Sequence, residues 1–469
     1  MKKLIIGVFA ALCLMPQLAQ AAQDRKKPEV KKIEKLYRYR VQFADKKNNT
    51  FSVKRPEEFL SEKSIARRKR LGIKVDNYDL PITPKYLQTL TDMGLKFRNC
   101  SKWNNTAVME LADTALIRQV RGLSFVKGVR CFWEGPDSIL VNADIQKEDR
   151  RAILTNKRDT VDHYYGHAAQ QVEMLGVDKL HRAGYTGKDV TIGVIDGGFF
   201  NADVIAGLKD LRILGTKNFA RPGHDVYAEL DHGMMVLSCM GSNQPNFLVG
   251  TSPGASFYLL QSEDGESEQL VEEDNWCAAV EYADSVGCDM VTSSLGYTLF
   301  DHPYMSHKYH EADGRTALNS RSASLAASRG ILLLNSAGNS GDEPWKKIGF
   351  PADATDILAV GAVTDKKGNT NFSSLGNTAD NRIKPDVMAM GYGCAVYSGA
   401  GSLVRVNGTS FSCPILCGAV ACLVQAYPEK KPVEIMHAVR ESGDNVAHPD
   451  NVFGYGIPDM QKAFDLLKK

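Results

Sequence analysis

The sequence predicts an α/β protein built on a mostly parallel central sheet and preceded by a smaller α+β unit. Three observations carry this. From about residue 165, short apolar runs at 190–195, 256–260, 290–293, 331–334 and 357–360 alternate with helical stretches such as 268–285 and 320–329. Strands that are apolar throughout belong to sheets covered on both faces. Between residues 36 and 132 the pattern is instead mixed, with period-two strands and amphipathic helices. Between the two lies 135–160, where Gly135-Pro136 is followed by a stretch dense in both charges. A chain of 469 residues also exceeds one ordinary domain of about 150 residues.

Each element has its own justification, taken in order. Lys2-Lys3, the apolar run 4–14 and Ala19-Gln20-Ala21 form a secretory signal peptide over 1–21. The run is too short to span a membrane, and no second apolar run of sufficient length is expected. Residues 22–35 are polar and lysine-rich and read as a linker. Residues 36–43 alternate as a half-buried strand. Residues 57–71 read as a helix with Phe59, Leu60 and Ile65 on one side, and 84–93 as a second helix with proline near its start. Strands follow at 96–100, 107–111 and 125–132, with a helix at 113–120 between the last two.

Composition is globular, with 43% hydrophobic and 24% charged residues. The net charge of +2 hides an asymmetry. Residues 22–150 hold 28 Lys+Arg against 17 Asp+Glu, a balance of +11, and residues 151–469 hold 27 against 38, a balance of −11. Such a split fits a nucleic-acid arm or two halves that attract each other; the second reading is favoured. The run Arg67-Arg68-Lys69-Arg70 reads as a solvated helix face. Nine of the ten cysteines remain after signal removal, and an odd number forbids complete pairing. Cys413, Cys417 and Cys422 read as small core residues. Export permits a bridge between Cys100 and Cys131. No CxxC spacing argues for zinc, and His302, His307, His310 and Glu311 lack the HExxH pattern.

Three segments carry the chemistry. Ile192-Gly193-Val194-Ile195-Asp196-Gly197-Gly198 ends an apolar strand in a carboxylate. Asp231-His232-Gly233 opens an apolar helix. Asn407-Gly408-Thr409-Ser410-Phe411-Ser412-Cys413-Pro414 puts a serine near the start of another. A serine hydroxyl needs a base and an anion-stabilising site to act as a nucleophile. The order Asp, His, Ser differs from the Ser, Asp, His order of α/β-hydrolases. Taken singly, each residue also has a plain structural reading, as a cap, a core histidine or a turn aspartate.

Together these segments resemble the subtilisin-like serine proteases, or subtilases. Further likeness lies in 331–341 with Asn339, in Ser293-Ser294-Leu295-Gly296, in Gly349-Phe350-Pro351-Ala352, in Val360-Gly361-Ala362-Val363 and in Gly454-Tyr455-Gly456-Ile457-Pro458-Asp459. The resemblance implies a subtilisin-like three-layer fold over 165–469, a small ferredoxin-like prodomain over 22–145, and a linker over 146–164. Processing is expected within about 140–162. It implies catalytic roles for Asp196, His232 and Ser410, an oxyanion donor in Asn339, and substrate contacts at Ser294, Leu295, Gly296 and Gly338. Polypeptides and the chain's own prodomain are the expected partners, with no nucleic acid. No cofactor or metal is expected from the residues, and calcium enters through the resemblance alone.

The sequence departs from the family at Gly197, where serine or threonine is commoner, at Met234, where threonine is usual, and at Phe411-Ser412-Cys413. The implied function is an exported endopeptidase made as an inhibited zymogen, periplasmic or extracellular. Its rivals are a peptide-binding pseudoprotease and an esterase. The intact set of four catalytic candidates disfavours the first, and the absence of a GxSxG glycine disfavours the second.

Overall fold

A computed structural model describes residues 35–136 and 160–468. The expected signal peptide and almost all of the expected processing window lie outside the described residues.

The N-terminal domain runs β1 (Lys35–Phe43), α1 (Glu62–Arg70), α2 (Pro84–Asp92), β2 (Lys96–Ser101), β3 (Thr106–Leu111), α3 (Leu116–Arg121) and β4 (Val126–Pro136). Its sheet has the order β2-β3-β1-β4 and is antiparallel throughout. The period-two pattern explains how it packs. Tyr39, Val41 and Phe43 of β1, with Ala107, Met109 and Leu111 of β3, form a core with Leu90, Ile117 and Val120 from the helices. The helix expected over 57–71 is broken: a 3-10 turn at Pro56–Glu58 precedes α1, which Ser61 caps by accepting from the Ser64 N–H.

The larger domain runs α4 (Ala169–Glu173), α5 (Val177–Arg182), β5 (Thr191–Asp196), β6 (Arg212–Asn218), α6 (His232–Gly241), β7 (Asn243–Gln244), β8 (Leu248–Val249), β9 (Ser256–Gln261) and α7 (Val271–Val286). It continues through β10 (Met290–Ser293), α8 (Leu318–Ala326), β11 (Leu332–Ser336), β12 (Leu358–Val363), β13 (Val387–Met390), β14 (Cys394–Tyr397), β15 (Leu403–Val406), α9 (Thr409–Ala426), α10 (Pro432–Glu441) and α11 (Met460–Leu467). Seven strands form one parallel sheet in the order β13-β12-β11-β10-β5-β9-β6. Each apolar strand feeds two cores. Ile192, Val194, Leu332 and Leu334 face the side of α6 and α9, whereas Ile195, Leu333 and Leu260 face that of α7 and α8. This is why these strands lack polar alternation.

Three expectations are corrected. First, the basic run of α1 is not a solvated face. Lys69 and Arg70 are exposed, but Arg67 and Arg68 are among the most buried side chains. Both pair with Asp284 of α7, at 2.5 and 2.8 Å, and Arg68 also reaches Asp79 at 2.8 Å. The polar face of β1 is likewise covered, and Arg40 holds Asp274 through Nε at 2.9 and 3.0 Å. Lys102 adds a third contact to Asp284 at 3.2 Å, and Glu281 accepts the Lys102 and Trp103 N–H groups at 2.6 and 3.2 Å. The opposite charges of the two halves therefore meet at α7. Second, Cys100 and Cys131 are both free. They lie on β2 and β4, the two edges of a four-stranded sheet, so three inter-strand steps of about 4.8 Å separate them, beyond disulfide reach. Third, α9 is long and apolar enough to cross a membrane, with a mean hydropathy of 1.6 over 18 residues. It runs through the core, where residues 409–423 are buried.

Candidate active site

Strand order sets where chemistry can sit. β5 comes first in the chain yet lies inside the sheet, between β9 and β10. Connections leave it in both directions, which opens a crevice at the carboxyl ends of the strands. Asp196 is the last residue of β5 and is fully buried. Its Oδ1 accepts from the Gly197 N–H at 2.8 Å and from His232 Nδ1 at 2.7 Å. Its Oδ2 has no hydrogen-bond partner among the described residues. Gly197 carries no hydroxyl to offer it.

His232 opens α6 and is brought to Asp196 by Gly233. A β-carbon at 233 would lie 2.5 Å from the Gly198 carbonyl oxygen and 2.8 Å from Asp196 Cβ, so only glycine lets the helix start approach this closely. The Asp196 carboxylate raises the His232 pKa to about 9, against the opposing effect of burial. Glu263 and Asp231 add to the rise. Because Nδ1 is engaged by Asp196, Nε2 is the nitrogen left to face a reacting group.

Ser410 lies in the first turn of α9, where backbone N–H groups lack intrahelical acceptors. Gly408, at φ +147°, makes the turn into the helix. The Phe411 ring packs 5.9 Å from the His232 ring, which places the start of α9 beside the histidine. Ser410 Oγ donates to the Ser294 carbonyl at 3.4 Å rather than to His232. In return Ser294 Oγ donates to the Ser410 carbonyl at 2.8 Å.

Asn339 is held by Thr409, whose N–H and Oγ both donate to Asn339 Oδ1 at 2.9 Å. That fixes the amide and leaves Nδ2 as its donor. Gly338 has φ +108°, and its N–H donates to Thr409 Oγ1 at 3.2 Å. Ser294, Leu295 and Gly296 follow the end of β10. The Leu295 carbonyl accepts from Asn335 Nδ2 at 3.0 Å and its side chain packs into the α7-side core. A β-carbon at 296 would meet nothing within 4 Å, so this segment borders open space.

Of the eight residues expected from the sequence, hydrogen bonds join Asp196 to His232, Ser294 to Ser410, and both Asn339 and Gly338 to Thr409, while Leu295 and Gly296 follow Ser294 in the chain. Asp196 and His232 bond directly, and Thr409 ties Asn339 to the Ser410 turn. Three contributors were missed. The Thr409 tether, the Ser294 brace and the Glu263 carboxylate beside His232 each depend on a fold contact across tens of residues. Thr409 lay in the quoted motif, but nothing in its spacing signals its partner. The histidine cluster also resolves: His307 bridges Glu273 at 2.5 Å and Glu311 at 3.0 Å, whereas His302 faces Glu134 at 3.8 Å.

A fold and crevice of this kind define a subtilisin-type serine endopeptidase, and comparison with known proteins agrees. Residues 187–456 match the subtilase family, and residues 38–150 match the peptidase S8 propeptide domain of Bacteroidota. The chain belongs to the subtilase family. It is 26% identical over 300 residues to subtilisin DY of Bacillus licheniformis, covering 62% of this chain and 97% of that protein. It is 26% identical over 337 residues to subtilisin E of Bacillus subtilis (strain 168), covering 69% and 81%. In fold it is similar to the epidermin leader peptide-processing serine protease of Staphylococcus aureus, with a TM-score of 0.63, 15% identity and coverage of 92% of this chain and all of that one.

Proposed function

We propose that this chain is an exported endopeptidase, made as a zymogen, that cuts peptide bonds with Asp196, His232 and Ser410 and stabilises the oxyanion with Asn339. The observation that carries the reading is the 2.7 Å bond between Asp196 and His232 at the mouth of α9. His232 Nε2 takes the Ser410 proton as Oγ attacks the substrate carbonyl. Asp196 holds the ring and stabilises the imidazolium. Asn339 Nδ2 and the Ser410 N–H bind the developing oxyanion. His232 then returns the proton to the leaving amine, and water releases the acyl group by the same route. A modest rotation of the Ser410 hydroxyl away from Ser294 completes the arrangement, as apo sites commonly require.

Substrate residues before the scissile bond pair with the backbone of 294–296, a form of strand addition. The N-terminal domain, docked on α7, holds the protease inactive until the linker is cut, and the 1–21 pattern supports export before that event.

The test is mass spectrometry of the signal-less protein and its Ser410→Ala variant, each incubated alone and with denatured casein. Wild type is expected to be cut between about 140 and 162 and to digest casein, while the variant does neither. If both stay whole and casein survives, the reading fails.

A further inference from the structure

The peptide-bond chemistry leaves one stretch of the protease domain without a task. Between β10 and α8, residues 297–316 hold three histidines and form two short 3-10 turns, Pro303–Met305 and Tyr309–Glu311. His307 is the most enclosed of the three, its side chain only 9% exposed, against 32% for His302 and a fully surface-lying His310. Its Nε2 meets Glu273 of α7 at 2.5 Å and its Nδ1 meets Glu311 at 3.0 Å. Ionised carboxylates only accept hydrogen bonds, and a neutral imidazole has a single N–H to give. A carboxylate on each ring nitrogen therefore calls for the imidazolium. Burial opposes that charge, but Glu273 and then Glu311 outweigh it and raise the His307 pKa. Against burial, the Lys308 N–H and His307 hold the Glu311 carboxyl below its usual value. Behind Glu273 stands Asp274, which pairs with Arg40 of the N-terminal domain. Arg321 of α8 also acts on Glu273, and His310 acts on Glu311. The Phe300 and Phe350 rings on the remaining sides bring no charge.

A separate line of contacts joins this histidine to the crevice. The His307 and Phe350 rings lie 4.2 Å apart, centroid to centroid, and the His307 N–H donates to the Thr298 carbonyl at 2.9 Å. Phe350 is fully buried and exchanges two backbone hydrogen bonds with Tyr297, at 2.9 and 3.2 Å. Tyr297 directly follows 294–296, the segment read above as pairing with substrate. A β-carbon at Gly349 would lie 3.5 Å from Thr298 Cγ2 and 3.6 Å from Gly296 Cα. The 294–298 and 349–350 segments thus meet at Gly296 itself, and His307 backs both.

We infer that His307, as an imidazolium between Glu273 and Glu311, is a positioning residue for the substrate-pairing wall at 294–297. The inference rests on the proteolytic reading above and adds a regulation of the same crevice. When the proton leaves, one carboxylate loses its donor, and Glu273, only 2% exposed, is too enclosed to take water instead. The carboxylates part, residues 297–311 lose their hold on Phe350, and 294–296 lose their backing. Substrate binding weakens, while Asp196, His232 and Ser410 stand on other elements and keep their arrangement. The sign follows from linkage. A histidine whose pKa is raised on folding keeps its contact fully below about 6.5 and loses it as pH rises through the raised value. Departure of the N-terminal domain takes Arg40 away, so in the processed protease Asp274 favours the imidazolium further.

The test is the pH dependence of KM and kcat for the processed enzyme. The substrate is a quenched peptide without ionisable side chains, built around a bond cut in casein. Wild type is expected to keep a constant KM at low pH and then show about a tenfold rise as His307 loses its proton, the range for losing one hydrogen bond to a charged group. At saturation, kcat should show no step there. His307→Gln should have the raised KM at every pH, with kcat within about twofold of wild type. Glu311→Gln, at a rim site 28% exposed, removes one of the two charges and should move the KM step to lower pH. It reports equally well should His307→Gln fail to fold. A flat KM in wild type, a step that His307→Gln retains or Glu311→Gln leaves in place, or a loss confined to kcat overturns the inference and leaves the protease reading standing. Failure of wild type to cut casein or any peptide overturns both.

Discussion

Replacing Asp284 by asparagine should undock the N-terminal domain, and the size of the effect follows from its surroundings. Asp284 is fully buried on α7 and meets Arg67 at 2.5 Å, Arg68 at 2.8 Å and Lys102 at 3.2 Å, all three from the N-terminal domain. Burial works to raise its pKa, yet Lys102, Arg67 and Arg68 together hold it below the usual carboxylate value. Removing one member of a buried ionic cluster strands the others, at about 3–5 kcal/mol. That weakens docking by roughly two to three and a half powers of ten. The assay is hydrogen–deuterium exchange on the full chain in a Ser410→Ala background, which prevents self-cleavage. Amides of α7 and β2 that exchange through undocking should then exchange about 10²-fold faster or more. Lys69→Ala, the next residue of α1 but exposed, should leave them unchanged. Acceleration of less than about tenfold in Asp284→Asn would refute the view that this cluster holds the two domains together.

Four further outcomes are expected. Because the base must be neutral to act and the His232 pKa is raised to about 9, kcat/KM should climb with pH and level off only above about 9; Glu263→Gln removes a charge that contributes to the rise, so its profile should move to lower pH. Asn339→Ala should lower kcat by roughly 10²–10³-fold with little change in KM, the range known for loss of the oxyanion asparagine in a subtilisin. Gly418→Ala puts a β-carbon 2.1 Å from Thr251 Oγ1 and 2.9 Å from Ser252 Oγ inside α9, and overpacking of this kind should lower stability by about 1–3 kcal/mol in denaturant titrations. All nine described cysteines are free and seven are buried, so Ellman titration should find them only after unfolding, apart from slow reaction at Cys100 and Cys131, and a reductant should not shift Tm.

The sequence announced the site more fully than the fold around it. The three segments that carry Asp196, His232 and Ser410 are local, each a strand or helix end marked by glycine, and such ends are legible from spacing. The inner strands β5, β9, β10, β11 and β12 were equally plain because burial on both faces leaves them apolar throughout. β6 was not, since it is an edge strand whose residues Arg212, Gly215 and Lys217 face solvent or the N-terminal domain. β13 is only four residues long, and the β14–β15 hairpin has no periodic signal to separate it from a loop. The buried fates of Arg67 and Arg68 were illegible for a different reason. A helix with four basic residues in its last turn looks solvated until the partner surface, more than 200 residues away, is in place. The summed charges of the two halves predicted that such a partner existed, but not which arginines it would take.

That partner surface joins two kinds of contact: beside the ion pairs, Trp103, Val108, Phe132 and Trp133 of the N-terminal domain share a buried apolar cluster with Trp276, Cys277 and Val280 of α7. On the zymogen reading proposed above, the N-terminal domain must bind firmly while tethered and let go once the linker is cut. Buried ion pairs add little net stability against water, although breaking one singly is costly. Separation of the domains would return those charges to solvent and expose the apolar patch around Trp103, Phe132 and Trp133 as well. While the linker is intact, the tether keeps the local concentration of the N-terminal domain high, so a modest intrinsic affinity suffices. Cutting the linker removes that advantage without altering any contact. The −11 protease half and the +11 leading half are thus suited to an association that is strong in one covalent state and weak in the other.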